Sequence, residues 1–240
     1  MLYAVVKPLA VAVMRLLFRL RAYGQHHVPR TGAVLLVANH SSFVDSPAIG
    51  GLTPRPISFL AKAEYFGVPV LGWLISHLNA RPLRRDRADP SALRTALRIL
   101  QEQGALLVFP EGTRGDEGVL RPAKAGAAML AVLSGAAVVP VYVAGSGRAW
   151  PRGRWLPRPC RITVFFGAPL RFERHDGTNR KEAYEAASAE MMSAIARLRD
   201  TAASRGGMVL SPERSPVVGG MGVGGPQASP KYFEERNKQQ

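Results

Sequence analysis

The sequence predicts an α/β fold, with a mixed and largely parallel sheet flanked by helices. One observation is a set of short, continuous apolar runs, which is typical of strands buried on both faces. These runs are residues 33–38, 56–61, 105–109, 137–145 and 161–167. A second observation is that helical patterns alternate with the runs, at residues 65–78, 89–104, 122–135 and 179–199. A chain of 240 residues can bury one substantial core around such a sheet.

Local signals set the limits of several of these elements. Pro29 and Gly32 mark a turn before the first buried run. The helix at residues 89–104 has the clearest pattern: Asp89 can cap it, Pro90 suits its first turn, and Gly104 ends it. Its apolar face consists of Leu93, Leu97 and Leu100.

Residues 1–23 form a further predicted helix with four basic and no acidic side chains. Most of its leucines and valines share one arc, opposite its basic residues, although Val11, Met14 and Phe18 fall on the basic side. A secretory signal is disfavoured because arginines interrupt the apolar stretch and follow it. A spanning helix needs roughly 20 apolar residues with few charges. The pattern best fits an amphipathic helix lying at a membrane interface, the alternative being a helix packed on the protein's own core.

Composition divides the chain into three parts and restricts its partners. We expect a membrane-interface helix at residues 1–24, a folded domain at 25–203, and a disordered tail rich in Gly, Pro and Ser at 204–240. The net charge of +15 favours an anionic partner such as a membrane surface. No nucleic-acid-binding signature accompanies that charge, so no nucleic-acid partner is expected. The single cysteine, Cys160, permits no disulfide within the chain and is interpreted as an ordinary strand-end residue.

The stretch NHSSFVD, residues 39–45, directly follows the first buried run. Open α/β sheets present their ligand crevice where such strands end. His40 would lie at a turn there, and Asp45 would reach back to it from the next helix. A carboxylate on one imidazole nitrogen fixes the tautomer and leaves the other nitrogen free to take a proton. The pair therefore suits activation of a hydroxyl, although on its own it could equally be structural.

Two further stretches carry candidate anion-binding groups. FPEGTR, residues 109–114, follows another buried strand, so it should open onto the same edge as His40. Gly112 allows a tight turn, and the guanidinium of Arg114 suits a phosphate, but a polar turn with a surface arginine would show the same pattern. NARPLRRD, residues 79–86, clusters Arg81, Arg84 and Arg85, either as a solvated basic patch or as a phosphate site.

Taken in order, NHSSFVD, AKAEYFGVPVLGW with RPLRR, FPEGTR and VVPVYVAG resemble the four blocks of the glycerolipid acyltransferase family, over about residues 20–170. The resemblance implies an enzyme like 1-acylglycerol-3-phosphate O-acyltransferase. His40 would be the general base and Asp45 would orient it. The acceptor phosphate would be held by Arg85 and by the third block, which consists of Glu111, Gly112, Thr113 and Arg114. Pro140 would belong to the fourth block, which shapes the acyl-chain side, and Lys124 matches a lysine of many relatives.

The second block departs from the family pattern, because Arg84 stands where an acidic residue often precedes the arginine. Arg84 could therefore be the equivalent of that arginine, or the acceptor headgroup could differ. The resemblance implies an acyl-CoA or acyl carrier protein donor and a membrane lipid acceptor. Since a thioester is already activated, no cofactor or metal is expected. The expected location is peripheral or monotopic on the cytoplasmic face of a membrane. The alternatives are another lysolipid or lipid-linked acceptor, or a membrane-surface binding protein without turnover.

Overall fold

The computed structural model describes residues 2–83, 90–173 and 180–206. The strands are β1 (Arg21–Tyr23), β2 (Val34–Ala38), β3 (Ser58–Lys62), β4 (Ala80–Leu83), β5 (Ala105–Val108), β6 (Ala137–Ala144) and β7 (Thr163–Phe166). The helices are α1 (Leu2–Phe18), α2 (Asp45–Leu52), α3 (Pro69–His77), α4 (Pro90–Gln101), α5 (Ala125–Ser134), α6 (Ser146–Ala149) and α7 (Arg180–Gly206). Two short 3₁₀ helices, Gln25–His27 and Ala63–Gly67, complete the described elements.

The strands form one seven-stranded sheet in the order β1-β7-β6-β2-β5-β3-β4. Every neighbouring pair is parallel except β6 and β7, which are antiparallel. The predicted mixed, largely parallel α/β fold is therefore confirmed, and each predicted apolar run overlaps one of the strands. The sequence did not indicate β1 and β4. Both are short edge strands with polar or proline-containing sequences, RAY and ARPL, so they lack the apolar run of a central strand.

The sheet carries a hydrophobic core on each face, because its central strands alternate their side chains between two sets of helices. In β2, Leu36 points to the face that α1 and α2 cover, whereas Leu35 and Val37 point to the face that α4, α5 and α7 cover. All three side chains are fully buried. Burial on both faces is the reason why β2 reads as a continuous apolar run rather than an alternating one. It also fixes β2 rigidly in the middle of the sheet, immediately before His40.

Helix α1 packs on the protein's own core, which is the alternative that its sequence left open. Met14 and Phe18, which the helical pattern placed on the basic side, are buried in the core beside α2. The opposite, leucine-rich side leaves Leu16 83% exposed, and Val13 and Leu17 are exposed as well. The helix thus packs on the protein with one apolar face and presents another apolar face outward. No helix among the described residues is long and apolar enough to cross a membrane.

The ends of the domain differ from the predicted boundaries. Helix α1 ends at Phe18, and residues 21–23 of the expected 1–24 helical part pair with β7 instead. At the other end, α7 continues to Gly206, past the expected boundary at residue 203. Within this extension, the Arg205 guanidinium lies over the Tyr23 ring, 5.0 Å from its centroid. The rest of the expected tail, residues 207–240, lies outside the described residues.

Candidate active site

The candidate site begins where β2 ends. Asn39, the first residue after the strand, exchanges two hydrogen bonds with the backbone of Val143 in β6: Val143 N donates to Oδ1 at 2.7 Å, and Nδ2 donates to the Val143 carbonyl at 3.1 Å. The side chain thus replaces the backbone pairing that would have continued between the two strands. The chain can then turn out of the sheet without leaving buried polar groups unpaired.

His40 and Asp45 meet as the sequence predicted. The imidazole Nδ1 lies 2.8 Å from Asp45 Oδ2, and Asp45 is fully buried while His40 is 9% exposed. Because a carboxylate accepts a hydrogen bond, Nδ1 carries the proton, and Nε2 is left with a lone pair. This is the arrangement of a general base whose carboxylate partner fixes both the tautomer and the ring orientation.

The Asp45 carboxylate is held in place by the loop that connects His40 to α2. Its Oδ2 atom accepts hydrogen bonds from the backbone N–H groups of Ser41 and Ser42, each at 2.8 Å, in addition to the one from His40. Asp45 also begins α2, where the positive end of the helix dipole favours a negative charge. The five-residue spacing therefore works through a tight loop that folds back onto the first helical residue.

Contacts to the ring and to the backbone also hold His40 in place. Its ring stacks on Phe109, with centroids 3.9 Å apart and planes 15° apart. The His40 carbonyl accepts a hydrogen bond of 2.8 Å from Gly115 N, and its N–H donates one of 3.2 Å to Glu111 Oε1. Three contacts thus tie the first motif to the stretch 109–115, as expected if both open onto the same edge of the sheet.

Glu111 is buried between the two motifs. Its second carboxylate oxygen accepts a longer hydrogen bond, 3.4 Å, from Arg121 N. Burial raises the pKa of this carboxyl above its usual range, although the His40 and Arg121 N–H groups, and the charge of Arg121, oppose that rise. The Glu111 carboxylate accepts hydrogen bonds from two backbone N–H groups and so joins His40 to Arg121, a role that we call a cross-brace. The geometry thus gives Glu111 a positioning role within the third block.

The turn after Glu111 is built around Gly112, whose φ of 70° lies in the left-handed region. A Cβ atom at this position would come within 2.8 Å of the Lys124 side chain, so the glycine also makes room for that lysine. Lys124 lies at the N-cap position of α5. Gly112 and Lys124, which the family resemblance named separately, therefore lie side by side. Thr113 continues the same turn and is half-buried.

Arg114 covers the ring of Phe43. Its guanidinium carbon is 3.8 Å from the ring centroid, which is a cation–π contact. Phe43 itself belongs to the His40–Asp45 loop and remains 44% exposed. The contact places a planar, permanently charged group beside the catalytic loop, where it can accept a phosphate without changing its charge.

Of the remaining predicted residues, Arg84 and Arg85 fall outside the described residues. Arg81 is exposed on the edge strand β4. Pro140 lies inside β6, in register with Val37, and its carbonyl accepts a hydrogen bond from Gly167 N. Pro140 is thus buried within the sheet, three residues before the part of β6 that Asn39 contacts.

The comparisons with known proteins identify the family. The profile of the family described as Acyltransferase matches residues 19–144, which contain both motifs of the site and six of the seven strands. The chain belongs to this family. The resemblance that the ordered blocks indicated is therefore confirmed.

Individual relatives agree with this assignment. The chain is 34% identical, over 152 residues, to the 1-acyl-sn-glycerol-3-phosphate acyltransferase of Limnanthes alba, covering 61% of this chain and 53% of that protein. It is 29% identical, over 151 residues, to the enzyme of the same name from Bacillus subtilis, covering 62% of this chain and 73% of that protein. The chain spans about half the length of the two Limnanthes relatives, 53% and 54%.

A solved structure shows the same architecture. The crystal structure of the 1-acyl-sn-glycerophosphate (LPA) acyltransferase PlsC from Thermotoga maritima is 28% identical in sequence to this chain. The TM-score is 0.64, and the match covers 80% of this chain and 78% of the Thermotoga chain. The likeness therefore extends beyond the residues that the family profile covers.

The structure adds a member of the site that sequence reasoning missed. Glu117 lies in the loop after the second motif, and its carboxylate accepts hydrogen bonds from Gly145 N and, at 2.7 Å, from Gly147 N. Burial raises the pKa of Glu117, although the two N–H groups and the charge of Arg148 oppose the rise. Glu117 thereby holds the end of β6 and the start of α6 against the site. The only sequence signal is a carboxylate shortly after FPEGTR, which a surface residue would show equally.

The described residues also bear on metal binding. Within residues 2–83, 90–173 and 180–206, no three His, Cys, Asp or Glu side chains are grouped so that they could hold a metal ion. The polar side chains that meet at the site, namely His40, Asp45, Glu111 and Arg114, instead form a base, its orienting carboxylate, a cross-brace and a cation.

Proposed function

We propose that this member of the acyltransferase family transfers an acyl group from a thioester donor to the hydroxyl of lysophosphatidic acid, giving phosphatidic acid. The observation that carries the proposal is the buried 2.8 Å contact between His40 Nδ1 and Asp45 Oδ2, which leaves Nε2 available as a base. The names of the relatives supply the acceptor, because the similar proteins from Limnanthes, Bacillus and Thermotoga are acyltransferases of 1-acylglycerol 3-phosphate.

The proposed reaction needs no covalent enzyme intermediate. His40 Nε2 takes the proton from the acceptor hydroxyl as its oxygen attacks the thioester carbonyl carbon. The tetrahedral intermediate then collapses, the carbon–sulfur bond breaks, and the thiolate leaves with the proton that His40 had taken. The Asp45 charge stabilises the imidazolium that exists between these two steps. Because the thioester is already activated, the mechanism uses no nucleotide hydrolysis, cofactor or metal.

The acceptor phosphate is proposed to bind on the Arg114 side of the site. Arg114 contacts Phe43, which lies between His40 and Asp45 in the chain, so a phosphate held by Arg114 leaves the glycerol hydroxyl close to the base. Gly112 and Thr113 shape the same turn, and Lys124 supplies a second positive charge beside Gly112. Arg85, or Arg84 in its place, is proposed to complete the phosphate site, as the family resemblance implies.

The proposed working position is the surface of a membrane, on its cytoplasmic face. Helix α1 supports this, because its outward side combines the exposed Val13, Leu16 and Leu17 with the exposed Arg15. Exposed apolar residues beside long basic side chains are typical of helices that lie at the headgroup level. A lysolipid acceptor could then reach His40 while its acyl chain stays in the bilayer.

The test is the release of free thiol from an acyl-CoA by the detergent-purified protein, with lysophosphatidic acid as acceptor. We expect release that depends on the acceptor and that His40→Ala lowers by about three orders of magnitude or more, as for loss of a general base in an activated constellation. His77→Ala is the matched control, since His77 is exposed on α3 and contacts only its own helix in the described structure.

Two results would contradict the proposal. Equal activity of His40→Ala and the wild type would exclude His40 as the base. Thiol release with another lysolipid, but none with lysophosphatidic acid, would keep the reaction and refute the acceptor.

A further inference from the structure

A second charged feature lies at the same end of the sheet as His40 but is separate from the catalytic cluster. It is an open groove of about 740 Å³ beside the edge strand β1. Five of the residues that line it are arginines: Arg19, Arg21, Arg148, Arg161 and Arg205. Among the described residues that line the groove, none is acidic. We call this feature the arginine groove.

The arginines converge from five separate parts of the fold. Arg21 lies in β1, Arg161 precedes β7, Arg148 lies in α6, Arg205 lies near the end of α7, and Arg19 links α1 to β1. Strand register explains part of the convergence. Arg21 and Ala144 both lie opposite Thr163, in one row across the sheet. Arg161 shortly precedes Thr163 in the chain, and Arg148 shortly follows Ala144, so both lie near Arg21. Bringing five like charges together costs energy in a free protein, so the cluster is better explained by an anion than by folding.

The link between α1 and β1 carries a further sign of constraint. Arg19 has a φ of 44°, in the left-handed region that residues other than glycine, asparagine and aspartate seldom adopt. Backbone strain of this kind is of order 1–3 kcal/mol and tends to be retained where function needs it. In this position the strain turns the chain from α1 into β1 and leaves Arg19 at the rim of the groove.

The walls of the groove are suited to an anionic ligand with an aromatic part. Tyr23 is exposed, stacks on Phe165 with centroids 5.2 Å apart, and carries the Arg205 guanidinium at 5.0 Å from its own ring centroid. A ligand with phosphates and a planar ring would match the arginines and this aromatic wall. Leu16 and Leu17, whose exposed side the proposed function assigns to the membrane surface, form only the α1 rim of the groove.

The groove is also continuous with the residues that hold the catalytic histidine. Its lining includes Ala144 and Arg148, which flank Gly145 and Gly147. A Cβ atom on Gly147 would lie 3.1 Å from Ser41 Cβ, and Ser41 directly follows His40. Glu117 fixes this connection through its hydrogen bonds to Gly145 N and Gly147 N.

We propose that the arginine groove binds the nucleotide end of a coenzyme A thioester. The guanidinium groups would contact its diphosphate and its ribose phosphate, and the extended pantetheine arm would pass α6 to reach His40. This inference rests on the proposed function only in the use of a thioester donor. It goes beyond it by choosing coenzyme A over acyl carrier protein, because a concave site of this volume suits a small polyanion better than the convex surface of an acidic protein.

Binding without turnover is the first test, by calorimetric titration of the full-length protein with coenzyme A. Charge-assisted contacts to phosphate are strong, so Arg21→Gln/Arg161→Gln should raise the Kd about tenfold or more. A second variant, Arg148→Gln/Arg205→Gln, removes the charges that α6 and α7 contribute to the groove and should have a similar effect. Arg94→Gln/Arg98→Gln, on the exposed side of α4, is the matched control and should change the Kd by less than about twofold.

Dephospho-coenzyme A, which lacks the ribose phosphate, sharpens the test. The wild type should bind it more weakly than coenzyme A, and the two groove variants should discriminate less between the two ligands. Wild-type affinity for coenzyme A in both groove variants would overturn the proposal. So would wild-type protein that binds anionic phospholipid vesicles through these arginines but does not bind coenzyme A, since the groove would then hold lipid headgroups.

The outcome can be separated from that of the proposed function. Acylation of lysophosphatidic acid with an unchanged KM for acyl-CoA in the groove variants would leave the function standing and refute the groove assignment. Binding of coenzyme A through the groove arginines, without acylation of lysophosphatidic acid, would support the groove and refute the acceptor. Turnover with acyl carrier protein alone, and no binding of coenzyme A, would refute the groove.

Discussion

The His40–Asp45 site and the arginine groove lie at the same end of the sheet but are built in opposite ways. Asp45 is fully buried, and one of its oxygens accepts three hydrogen bonds, whereas all five groove arginines are exposed. A base must be held in one orientation before the reaction begins, so its neighbours are fixed. A site for a soluble polyanion can instead rely on many exposed charges that act together. The difference predicts different responses to mutation, salt and pH.

The largest effect is expected for Asp45→Asn, which breaks the rigid site and leaves the groove intact. An amide in place of the carboxylate can no longer fix the Nδ1–H tautomer or stabilise the imidazolium, and such a change lowers kcat by about 10³–10⁴-fold in a comparable constellation. The measurement is steady-state acyl transfer, together with the Kd for coenzyme A. The Kd should remain that of the wild type, and a kcat within about tenfold of the wild type would remove Asp45 from the mechanism.

A smaller effect is expected for Arg114→Lys, which separates acceptor binding from donor binding. Lysine keeps the charge but loses the planar group that stacks on Phe43 and can contact phosphate with two N–H groups. The KM for lysophosphatidic acid should rise about 10-fold to 100-fold, while the KM for acyl-CoA stays close to the wild-type value. The reverse pattern, with only the donor KM raised, would place Arg114 in the donor site.

The sequence reveals interactions between residues that are close in the chain, but not those between residues that are far apart in it. The His40–Asp45 pair and the FPEGTR turn each lie within a few residues after a buried strand, so their position at one edge followed from the parallel sheet. The groove could not be predicted in this way. Arg21 and Arg205 are far apart in the chain and line one groove only because β1 pairs with β7 and α7 packs on the same part of the sheet.

Helix α1 shows the same limit of prediction from local sequence patterns. Its helical wheel placed Met14 and Phe18 among basic residues, which made the amphipathic pattern look imperfect. Their burial against the core beside α2 explains them, but no local pattern could show that a second helix would lie there. Glu111 likewise was identified as part of its motif, whereas its role as a cross-brace depends on the His40 backbone, 71 residues away in the chain.

A third prediction sharpens the comparison through ionic strength. The screening length falls from about 10 Å at 0.1 M salt to about 3 Å at 1 M, so exposed charges lose attraction while buried contacts lose little. Added salt should therefore raise the KM for acyl-CoA several-fold and change kcat by less than about twofold at saturating donor. Initial rates across a sodium chloride series provide the measurement. A kcat that falls as steeply as the donor KM rises would show that the two regions do not differ as proposed.

The smallest effect concerns Glu117, the residue that joins the two regions. Burial raises its pKa, so the folded protein binds a proton here at a pH where the unfolded chain has already released it. The stability contributed by this group is thus present below the ordinary carboxyl pKa and is lost as the pH rises through the raised value. Glu117→Gln does not titrate. The melting temperature of the wild type minus that of the variant should therefore fall as the pH rises from about 4 to 7.5.

A matched substitution separates this titration from the loss of a hydrogen-bond acceptor. Glu182→Gln, at an exposed position in the first turn of α7, removes a carboxylate outside both regions and should leave the shape of the pH profile unchanged. A difference between wild type and Glu117→Gln that stays constant with pH would mean that Glu117 is ionised equally in both states. Its link between Gly145, Gly147 and the site would then depend on hydrogen-bond geometry alone, with no contribution from the buried charge.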